Sequence, residues 1–521
     1  MKQKVKSTPL RLRSPPVVEA NHLYCYNLPE IVYLIAYLCA VIQYDKYEAV
    51  IGLEVHAQLL TKSKLFCGDS AAFGGDPNTH ISPITLAHPG TLPMMNKQAI
   101  EHAIKLGLTL RCDIEQQNYF ARKNYFYPDL PKGYQVSQHT TPICKNGHVK
   151  IKVEDTERNI RLNRIHIEED AGKSLHDVDE NFTAIDLNRA GVPLLEIVSE
   201  PDLHSSDEAF AYLTELRKLV RWVEVCDGNM EEGSLRCDAN VSVRLKGDIK
   251  LGTRVEVKNL NSIRNVKRAI DIEIKRLIEI VESGNKVIQE TRSFDADNNT
   301  TFSLRSKEEA DDYRYFPEPD LTPFNITDEF LQQVKESLPA LPEALEKKYK
   351  DVFQLSDYDA QMICQDKTMV DYFEATIKHS NHYKAVVNWL IGPVKSYLNH
   401  HNIELNGFAL KPQQIAALVQ LIDDGKVNFN IASTRIFEAL LKETNKEPLQ
   451  IATELNLIQD SNADNLAVWV DEVIAKMPDK VKEYKSGKKG LIGLFAGEVK
   501  KISKGKADMQ LVNKLLAEKL N

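Results

Sequence analysis

Apolar and polar residues alternate along four stretches in the first half of the chain, which is the pattern of β-strands with one buried and one polar face. These stretches are Val50–Leu59, Arg164–Asp170, Ser234–Leu245 and Arg254–Lys258. In the first, Glu54 and His56 stand two residues apart and therefore point to the same face. In the second, the alternation slips at Glu168 and Glu169. The pattern predicts a sheet-containing domain between residue 47 and about residue 303.

A helical period follows the fourth stretch. Apolar residues recur at helical spacing from Ile263 to Val281. Asn261 or Ser262 is suited to cap this helix, and Gly284 to end it. We therefore predict a long amphipathic helix directly after the last strand of the alternating series.

Prolines at 317, 319, 339 and 342 mark a further change of pattern. From about Leu341 to the end only amphipathic helices are predicted, with breaks near Gly392-Pro393, Gly407, Pro412, Pro448 and Pro478. The fold class is thus expected to be α+β, with an antiparallel-sheet domain followed by all-α domains. The expected divisions are an atypical extension at 1–44, the sheet domain at 45–335, a helical domain at 336–447 and a small helical tail domain at 448–521.

The composition fits several folded domains and excludes some classes of protein. The chain has 521 residues, which suggests about three domains at roughly 150 residues each, and its 43% apolar content excludes wholesale disorder. A net charge of −8 argues against a protein coated with basic charge, so any nucleic-acid contact should be local. The eight cysteines are scattered without a C-x-x-C pair, which argues against a disulfide framework and fits a reducing compartment.

The first 44 residues differ from the rest. They begin with basic residues and then carry the apolar run Ile31–Ile42. Twelve residues of helix span about 18 Å, which is short of a hydrocarbon core of ~30 Å, so we expect no membrane span. An appendage or an over-long start is the preferred interpretation, and a targeting segment is the alternative.

Acidic residues stand on the polar faces of separate predicted strands: Glu54 with His56, Glu168 or Glu169, Asp238, and Glu256. Converging carboxylates repel one another unless a cation lies among them. Oxygen ligands with one imidazole suit Mg²⁺ or Mn²⁺ better than zinc. The alternative is that these are ordinary solvated faces of antiparallel strands.

Two other stretches suggest binding of a nucleotide or nucleic acid. Tyr119–Tyr134 holds six aromatic residues interleaved with Arg122, Lys123 and Lys132, a combination that suits a purine, a phosphate or an RNA end. The alternative interpretation is that these rings pack in a corner of the core and that the lysines are solvated. Lys480–Lys506 holds nine lysines against two glutamates, together with five glycines, and suits contact with a phosphate backbone. Here the alternative is a solvated charged face.

A phosphate-binding P-loop is excluded. Gly172-Lys173-Ser174 lacks the required glycine five residues earlier, where Ile167 stands. Use of ATP would therefore depend on another architecture.

Several long motifs resemble the B-subunit family of aspartyl/glutamyl-tRNA amidotransferases. They are GLEVHAQL (52–59), RKNYFYPDLPKGYQVSQ (122–138), HIEEDAGKS (166–174), DLNRAGVPLLEIVSEPD (186–202), MEEGSLRCDANVSVR (230–244), EVKNLNS (256–262), DDYRYFPEPDL (311–321) and the glycine- and lysine-rich segment 487–508. The resemblance covers residues 47–521.

This resemblance implies a concrete reaction. The family works as a heterotrimer with an amidase (A) subunit and a small (C) subunit on Glu-tRNA(Gln) or Asp-tRNA(Asn). ATP would phosphorylate the side-chain carboxylate, and ammonia released from glutamine by the amidase would displace the phosphate, which makes the enzyme a ligase that forms a carbon–nitrogen bond. A cytoplasmic location is expected, or an organellar one if residues 1–44 are a targeting segment.

The resemblance also implies residue roles. The Mg²⁺ ligands would be Glu54, His56, Glu169, Asp238 and Glu256. Residues lining the same cradle for the nucleotide or the tRNA acceptor end would be Lys123, Asn124, Tyr125 and Ser137. Residues of a tail that binds the tRNA body would be Lys488, Lys489, Gly490, Gly493, Lys500 and Lys501.

One feature departs from the family. Many members carry a zinc knuckle of four cysteines, and the corresponding residues here are Cys67, Asp69, Ser82 and Thr85. Three of the four ligands are missing, so we predict no structural zinc.

Two other functions compete with a catalytic role in a trimer. A non-catalytic tRNA-binding scaffold would need lysine and arginine, rather than acids, on the strand faces. A stand-alone metal-dependent ligase would amidate tRNA with free ammonia without partner proteins.

Overall fold

A computed structural model describes residues 44–176, 178–306, 313–459, 463–503 and 506–520. The predicted N-terminal extension lies outside the described residues except for Tyr44. The α+β class is confirmed, because a large sheet is followed by helices to the end of the described chain.

Strands occupy the first part of the described chain. They are β1 (Tyr47–Gln58), β2 (Asp113–Ile114), β3 (Gln117–Asn118), β4 (Ala121–Asn124), β5 (Tyr134–Ser137), β6 (Cys144–Lys145), β7 (His148–Val153), β8 (Thr156–Glu169), β9 (Lys173–Leu175), β10 (Ala184–Asp186), β11 (Pro193–Ser199), β12 (Leu235–Leu245), β13 (Val255–Leu260), β14 (Glu290–Asp295), β15 (Thr300–Ser306), β16 (Arg314–Pro317) and β17 (Phe324–Asn325). All four predicted strands are present, and β8 extends eight residues before the predicted start at Arg164.

The main sheet has the strand order β15-β14-β13-β12-β1-β11-β8-β5-β4-β16. Its pairs are antiparallel except for β13 with β14, which run parallel. β1 lies at the centre and pairs with β12 on one side and β11 on the other, although these strands are far apart in sequence. This order brings residues from distant motifs onto one face.

Helices follow and interrupt the strands. They are α1 (Lys97–Thr109), α2 (Ser206–Trp222), α3 (Ile263–Glu282), α4 (Asp328–Glu336), α5 (Pro342–Phe353), α6 (Asp357–Ile363), α7 (Lys367–Ile377), α8 (Tyr383–Trp389), α9 (Lys395–His401), α10 (Pro412–Asp423), α11 (Phe429–Ile431), α12 (Phe437–Lys442), α13 (Pro448–Glu454), α14 (Ala463–Lys476), α15 (Pro478–Lys485), α16 (Ile492–Ile502) and α17 (Met509–Leu520).

The caps follow the sequence signals at α3. Ser262, one of the two predicted caps, accepts a hydrogen bond from the backbone N–H of Asn265. Gly284 lies just past the helix end with a φ of +76°, a conformation that glycine adopts at little steric cost. The predicted start and stop are therefore confirmed.

The predicted break at Gly392-Pro393 is wrong. A π-helical turn at Leu390–Val394 contains Pro393 and joins α8 directly to α9. The wider turn accommodates a residue that lacks a backbone N–H, so the helical path continues. Pro412, Pro448 and Pro478 instead begin new helices, as expected for proline in a first helical turn.

Among the described residues, helices pack on one face of the sheet. The odd-numbered positions of β1 from Ala49 to Ala57 are buried in the core, whereas Glu54, His56 and Gln58 are half-buried on the other face. α3 packs on β12 and α2 on β7. The uncovered polar face is where the candidate site lies.

The apolar core has two parts among the described residues. One core is a single cluster of buried side chains whose members lie between Ala49 and Leu457 in the sequence, and it joins the sheet domain to the first helical region. A second, smaller core is built from Leu466 to Leu520 in the tail helices α14 to α17. No helix in the described ranges is both long and apolar enough to cross a membrane.

Candidate active site

Strand register collects ionisable side chains on the polar face. In antiparallel pairs, directly opposite residues point to the same side of the sheet. His56 of β1 lies opposite Glu196 of β11, which in turn lies opposite His166 of β8. On the other side of β1, Glu54 lies opposite Asp238 of β12. We call Glu54, His56, Glu168, Glu196 and Asp238 the acidic cluster.

His56 stands at the centre of the acidic cluster. Its Nε2 lies 3.6 Å from Glu54 Oε1, 3.5 Å from Glu196 Oε2 and 3.9 Å from Glu168 Oε1. In one group, a ligand atom from each of Glu54, His56 and Asp238 lies within 4.8 Å of the other two. In a second group, the same is true of His56, Glu168 and Glu196. Two groups of candidate metal ligands therefore share one imidazole.

Mutual charge controls protonation in this cluster. Burial opposes a charge on His56, yet the hydrogen bond to Glu196 and the nearby carboxylates raise its pKa to about 9. Burial and the charge of Glu196 raise the pKa of Glu54. Burial would also raise the pKa of Glu196, but His166 and His56 hold it below its ordinary value. The cluster thus gathers four carboxyl groups around a single imidazole.

Two of the five expected metal ligands lie apart from this group. Glu169 points the other way, and its Oε1 lies 2.6 Å from Lys132 Nζ. Glu256 accepts hydrogen bonds from Thr291, at 2.8 Å, and from Lys258, at 3.1 Å. Since Lys258 also donates to Asp238, its ammonium stands between Glu256 and the acidic cluster. The structure brings Glu54, His56 and Asp238 together. Glu169 and Glu256 are not part of this group.

The separation of Glu168 and Glu169 has a simple cause. Consecutive residues of a strand point to opposite faces, so only one of the two can reach the face of His56. The register of β8 selects Glu168, whose Oε2 accepts a hydrogen bond from Ser137 at 3.4 Å. Glu169 instead lines a cavity of about 120 Å³ on the other side, with Lys64, Cys67 and other residues.

Glu168, Glu196 and His166 are neighbours of His56 that the resemblance did not assign. His166 Nε2 lies 3.5 Å from both carboxylates. Two signals in the sequence point to them. Glu196 is the only charged residue in the apolar strand β11, where an unpaired carboxylate would be costly. His166 and Glu168 share the period-two phase of β8.

The residues expected to bind a nucleotide or acceptor end divide between the two faces. Lys123 and Ser137 belong to the polar face, and Tyr125 reaches it from the loop after β4. Asn124 belongs to the opposite face, where its side chain donates to the carbonyl oxygens of Arg314 and Arg122. Asn124 therefore ties β4 to β16.

Aromatic rings border the acidic cluster beyond β8. Tyr125, Tyr313 and Tyr315 form this border, which we call the aromatic wall. Lys123 Nζ lies 4.8 Å from the centre of the Tyr313 ring and 5.8 Å from that of Tyr125. Burial opposes its charge, but Glu168 and the neighbouring groups raise the pKa of Lys123. The ammonium thus lies between the carboxylates and the rings.

The four positions at which the resemblance would place a zinc knuckle lie close together. Cys67 Sγ lies 3.4 Å from Thr85 Oγ1, and that hydroxyl donates to Asp69 Oδ2 at 2.5 Å. Burial opposes the charge of Asp69, but the hydrogen bond from Thr85 lowers its pKa. Ser82 begins the turn that carries Thr85, and its carbonyl accepts from the N–H of Leu86 at 3.0 Å. Hydrogen bonds connect Cys67, Asp69 and Thr85 directly.

The tail lysines lie on exposed surfaces of the small second core. Lys488 pairs with Glu483 at 3.1 Å, and Lys501 pairs with Glu498. Lys489 lies over the Tyr484 ring at 4.3 Å, and Lys500 is exposed in α16. Gly490 and Gly493 have open space where a Cβ would stand, so packing does not require them to be glycine. Lys504, counted in the basic stretch, lies outside the described residues.

Comparison with known proteins gives a consistent result. A family model described as the GatB/GatE catalytic domain matches residues 49–332, and one described as the GatB domain matches residues 371–520. The B subunit of the aspartyl/glutamyl-tRNA(Asn/Gln) amidotransferase of Thermodesulfovibrio yellowstonii is 47% identical over 471 residues, covering 90% of this chain and 98% of that protein.

Two further relatives carry the same name. The Geotalea daltonii protein is 49% identical over 478 residues, covering 91% of this chain and 99% of its own length. The Bdellovibrio bacteriovorus protein is 48% identical over 475 residues, with the same two coverages. The similarity therefore extends over the sheet and both helical regions.

Proposed function

Because this chain belongs to the GatB/GatE family of tRNA-dependent amidotransferase subunits, we propose that it activates the side-chain carboxylate of Glu-tRNA(Gln) or Asp-tRNA(Asn) with ATP and then amidates it. Ammonia would come from glutamine hydrolysed by an amidase (A) subunit, in a cytoplasmic heterotrimer that also contains a small (C) subunit. The observation that carries the proposal is the meeting of Glu54, His56 and Asp238 on an uncovered sheet face.

The donor set fits a magnesium ion. Carboxylate oxygens predominate in both groups and no thiolate takes part. His56 is the one imidazole beside Glu54 and Asp238, whereas His166 also lies beside Glu168 and Glu196. Glu54, His56 and Asp238 would hold the ion, with Glu168 and Glu196 beside them. A bound Mg²⁺ would screen the charge of the nucleotide phosphates from the attacking carboxylate. Burial, followed by the charge of Glu196, raises the pKa of Glu54, and a cation beside this carboxylate would favour its charged form.

The proposed reaction balances in two steps. A carboxylate oxygen of the aminoacyl side chain bonds to the γ-phosphorus of ATP, and ADP leaves. Ammonia then bonds to the carbonyl carbon, phosphate leaves, and the amide nitrogen loses a proton. The first step supplies the leaving group that a free carboxylate lacks.

The chain's own residues would bind and orient the reactants. Lys123 offers a positive charge at the edge of the acidic cluster, where it would bind a phosphate. Lys258 holds Asp238 and Glu256 in place, so that Glu256 supports the cluster from outside. Glu169 would act through the cavity that it lines with Lys132.

The tail would bind the body of the tRNA. Lys488, Lys489, Lys500 and Lys501 are exposed, and the exposed glycines 490 and 493 leave room for a phosphate backbone near them. Lys488 and Lys501 each pair with a glutamate on the surface, and such exposed pairs are weak, so phosphates can replace these partners.

The proposal is tested in the co-purified complex with Asp238→Ala. Glutaminase activity should persist, while formation of the acyl phosphate should fall by at least about a hundredfold. Glu224→Gln, which replaces a carboxylate that is 71% exposed, is the matched control and should behave as wild type. Normal yields of amidated tRNA from Asp238→Ala would refute the site.

A further inference from the structure

The aromatic wall contains two residues without an assigned role, Tyr313 and Tyr315. Tyr315 is the second residue of β16, and Tyr313 immediately precedes this strand. Both rings lie on the polar side of the sheet, where the Tyr313 ring contacts Lys123. Tyr315 stands directly opposite Lys123 in the antiparallel pair of β16 with β4. Rings of this size would be expected in a core, yet Tyr313 is 38% exposed at the edge of the sheet.

The Tyr315 ring is supported from behind. The ring of His139 stacks on it with centroids 4.0 Å apart and an angle of 12° between the planes. Because His139 covers one face of Tyr315, a flat ligand would stack on the opposite face. The Tyr313 ring lies edge-on to Tyr125, at 5.4 Å and 66°, which holds Tyr313 upright beside that position.

Lys123 is left available for an anion. Its nitrogen contacts the rings of Tyr313 and Tyr125. Among the residues that the structure describes, Lys123 forms no ion pair with a carboxylate within 4.0 Å. Glu168 and Glu196 act on it only from a greater distance. A charged ammonium with rings on one side and carboxylates on the other suits a phosphate linked to a flat base.

Strand spacing gives the size of the ligand. β16 and β8 are three intervals apart in the sheet, which is about 14 Å at a spacing of about 4.8 Å. A base stacked on β16 would therefore lie about the length of an extended nucleoside triphosphate from Glu168. Lys123, on the intervening strand β4, would lie along the phosphates.

We propose that Tyr315, backed by His139 and flanked by Tyr313, is the platform on which ATP stacks its adenine, with Lys123 contacting the phosphates that lead to the acidic cluster. The proposal rests on the proposed function and names the residues that select a nucleotide over free polyphosphate. The terminal adenosine of the tRNA offers the same flat ring, but it lacks the triphosphate that the spacing fits.

Binding of two probes to the full complex tests this platform. Tyr315→Ala should weaken binding of a non-hydrolysable ATP analogue by at least about fivefold, since a base stacked on an aromatic ring contributes this much. Binding of tripolyphosphate, which has no base, should change by less than about twofold. Tyr315→Phe retains the ring and should restore the affinity for the analogue.

Phe316→Ala is the matched control, because Phe316 is the next residue of β16 and its ring lies over Arg122 on the opposite face. It should leave both affinities unchanged. His139→Ala, at an exposed position, should weaken the analogue alone and gives an independent reading if Tyr315→Ala fails to fold.

The possible failures are distinguishable. If the wild-type complex binds the analogue and Tyr315→Ala and His139→Ala bind it equally well, the platform is refuted while the proposed function stands. If the variants weaken only an acceptor RNA ending in adenosine, the platform serves the tRNA and the proposal is overturned. If the wild-type complex binds neither the analogue nor tripolyphosphate, the proposed function itself fails.

Discussion

Glu168 and Glu169 are consecutive residues whose carboxylates lie on opposite faces of β8. Glu168 Oε1 lies 3.9 Å from His56 Nε2, and Glu169 Oε1 lies 2.6 Å from Lys132 Nζ. Their different surroundings make them a matched pair for mutagenesis, because the same substitution at each position removes one charge from a different site.

Glu168→Gln should weaken binding of Mn²⁺, used as a spectroscopic substitute for Mg²⁺, by at least about tenfold. Glu169→Gln should change that affinity by less than about threefold and instead remove the ion pair with Lys132. Electron paramagnetic resonance titration of the complex measures both. Equal losses at the two positions would show that Glu169 also faces the metal.

Asp170→Asn should destabilise the fold in a pH-dependent manner. Asp170 is buried and accepts hydrogen bonds from Gln58, at 2.7 Å, and Arg236, at 3.0 Å. Burial would raise its pKa, but Arg236 and Arg189 hold it below the ordinary value of 3.8. The charge therefore contributes stability above pH 3.8, and this contribution is lost as the pH falls through the lower native value.

We expect Asp170→Asn to cost about 3 kcal/mol of unfolding free energy at pH 7, because it leaves Arg236 without its charged partner. The difference from wild type should shrink below pH 3.8. Urea titrations followed by the fluorescence of Trp222 and Trp389 measure it. Asp248→Asn, at an exposed position, is the control, and a difference that grows in acid would contradict the assignment.

Replacing Lys488 and Lys489 with glutamine should weaken tRNA binding without altering ATP chemistry at the sheet. The logarithm of the binding constant decreases linearly with the logarithm of salt concentration. For each phosphate that is no longer bound, this line should become less steep by about one. Filter binding at several salt concentrations gives this slope. The control is the double variant Lys335→Gln with Lys347→Gln, which removes the same charge from exposed positions of other helices. If tRNA affinity falls equally in both double variants, a specific binding site in the tail is refuted.

The knuckle positions should carry no zinc in the purified protein. Metal analysis is expected to find less than about 0.1 zinc per chain, because Cys67 alone supplies a thiolate. Replacing Asp69, Ser82 and Thr85 with cysteine should introduce binding of one zinc ion. Stoichiometric zinc in the wild-type chain would contradict the prediction.

The local pattern predicted the elements well because each signal is contained in a few neighbouring residues. The alternation in β1 and β12 indicated both their positions and their faces, and Ser262 with Gly284 bounded α3. The break predicted at Pro393 failed because proline in an isolated helix forbids a regular hydrogen bond, whereas the packed chain forms a π-helical turn there.

The acidic cluster was only partly visible in the sequence. Glu54, His56 and Asp238 were identified by their phase, and the resemblance agreed with them. Glu168 could not be separated from Glu169, since the slip of the pattern allowed either residue to face His56. Glu196 and the aromatic wall depend on strands that meet the site from elsewhere in the chain.

The sequence by itself determined the family, the alternating faces of the strands and the helical character of the second half. Each depends on residue spacing or long motifs. Only the tertiary structure decided that β11 lies beside β1 and β8 beside β11, and hence that Glu196 and Glu168 meet His56. The physical reason is that strand pairing joins segments more than a hundred residues apart, and burial of the apolar face fixes the register that selects one carboxylate over its neighbour.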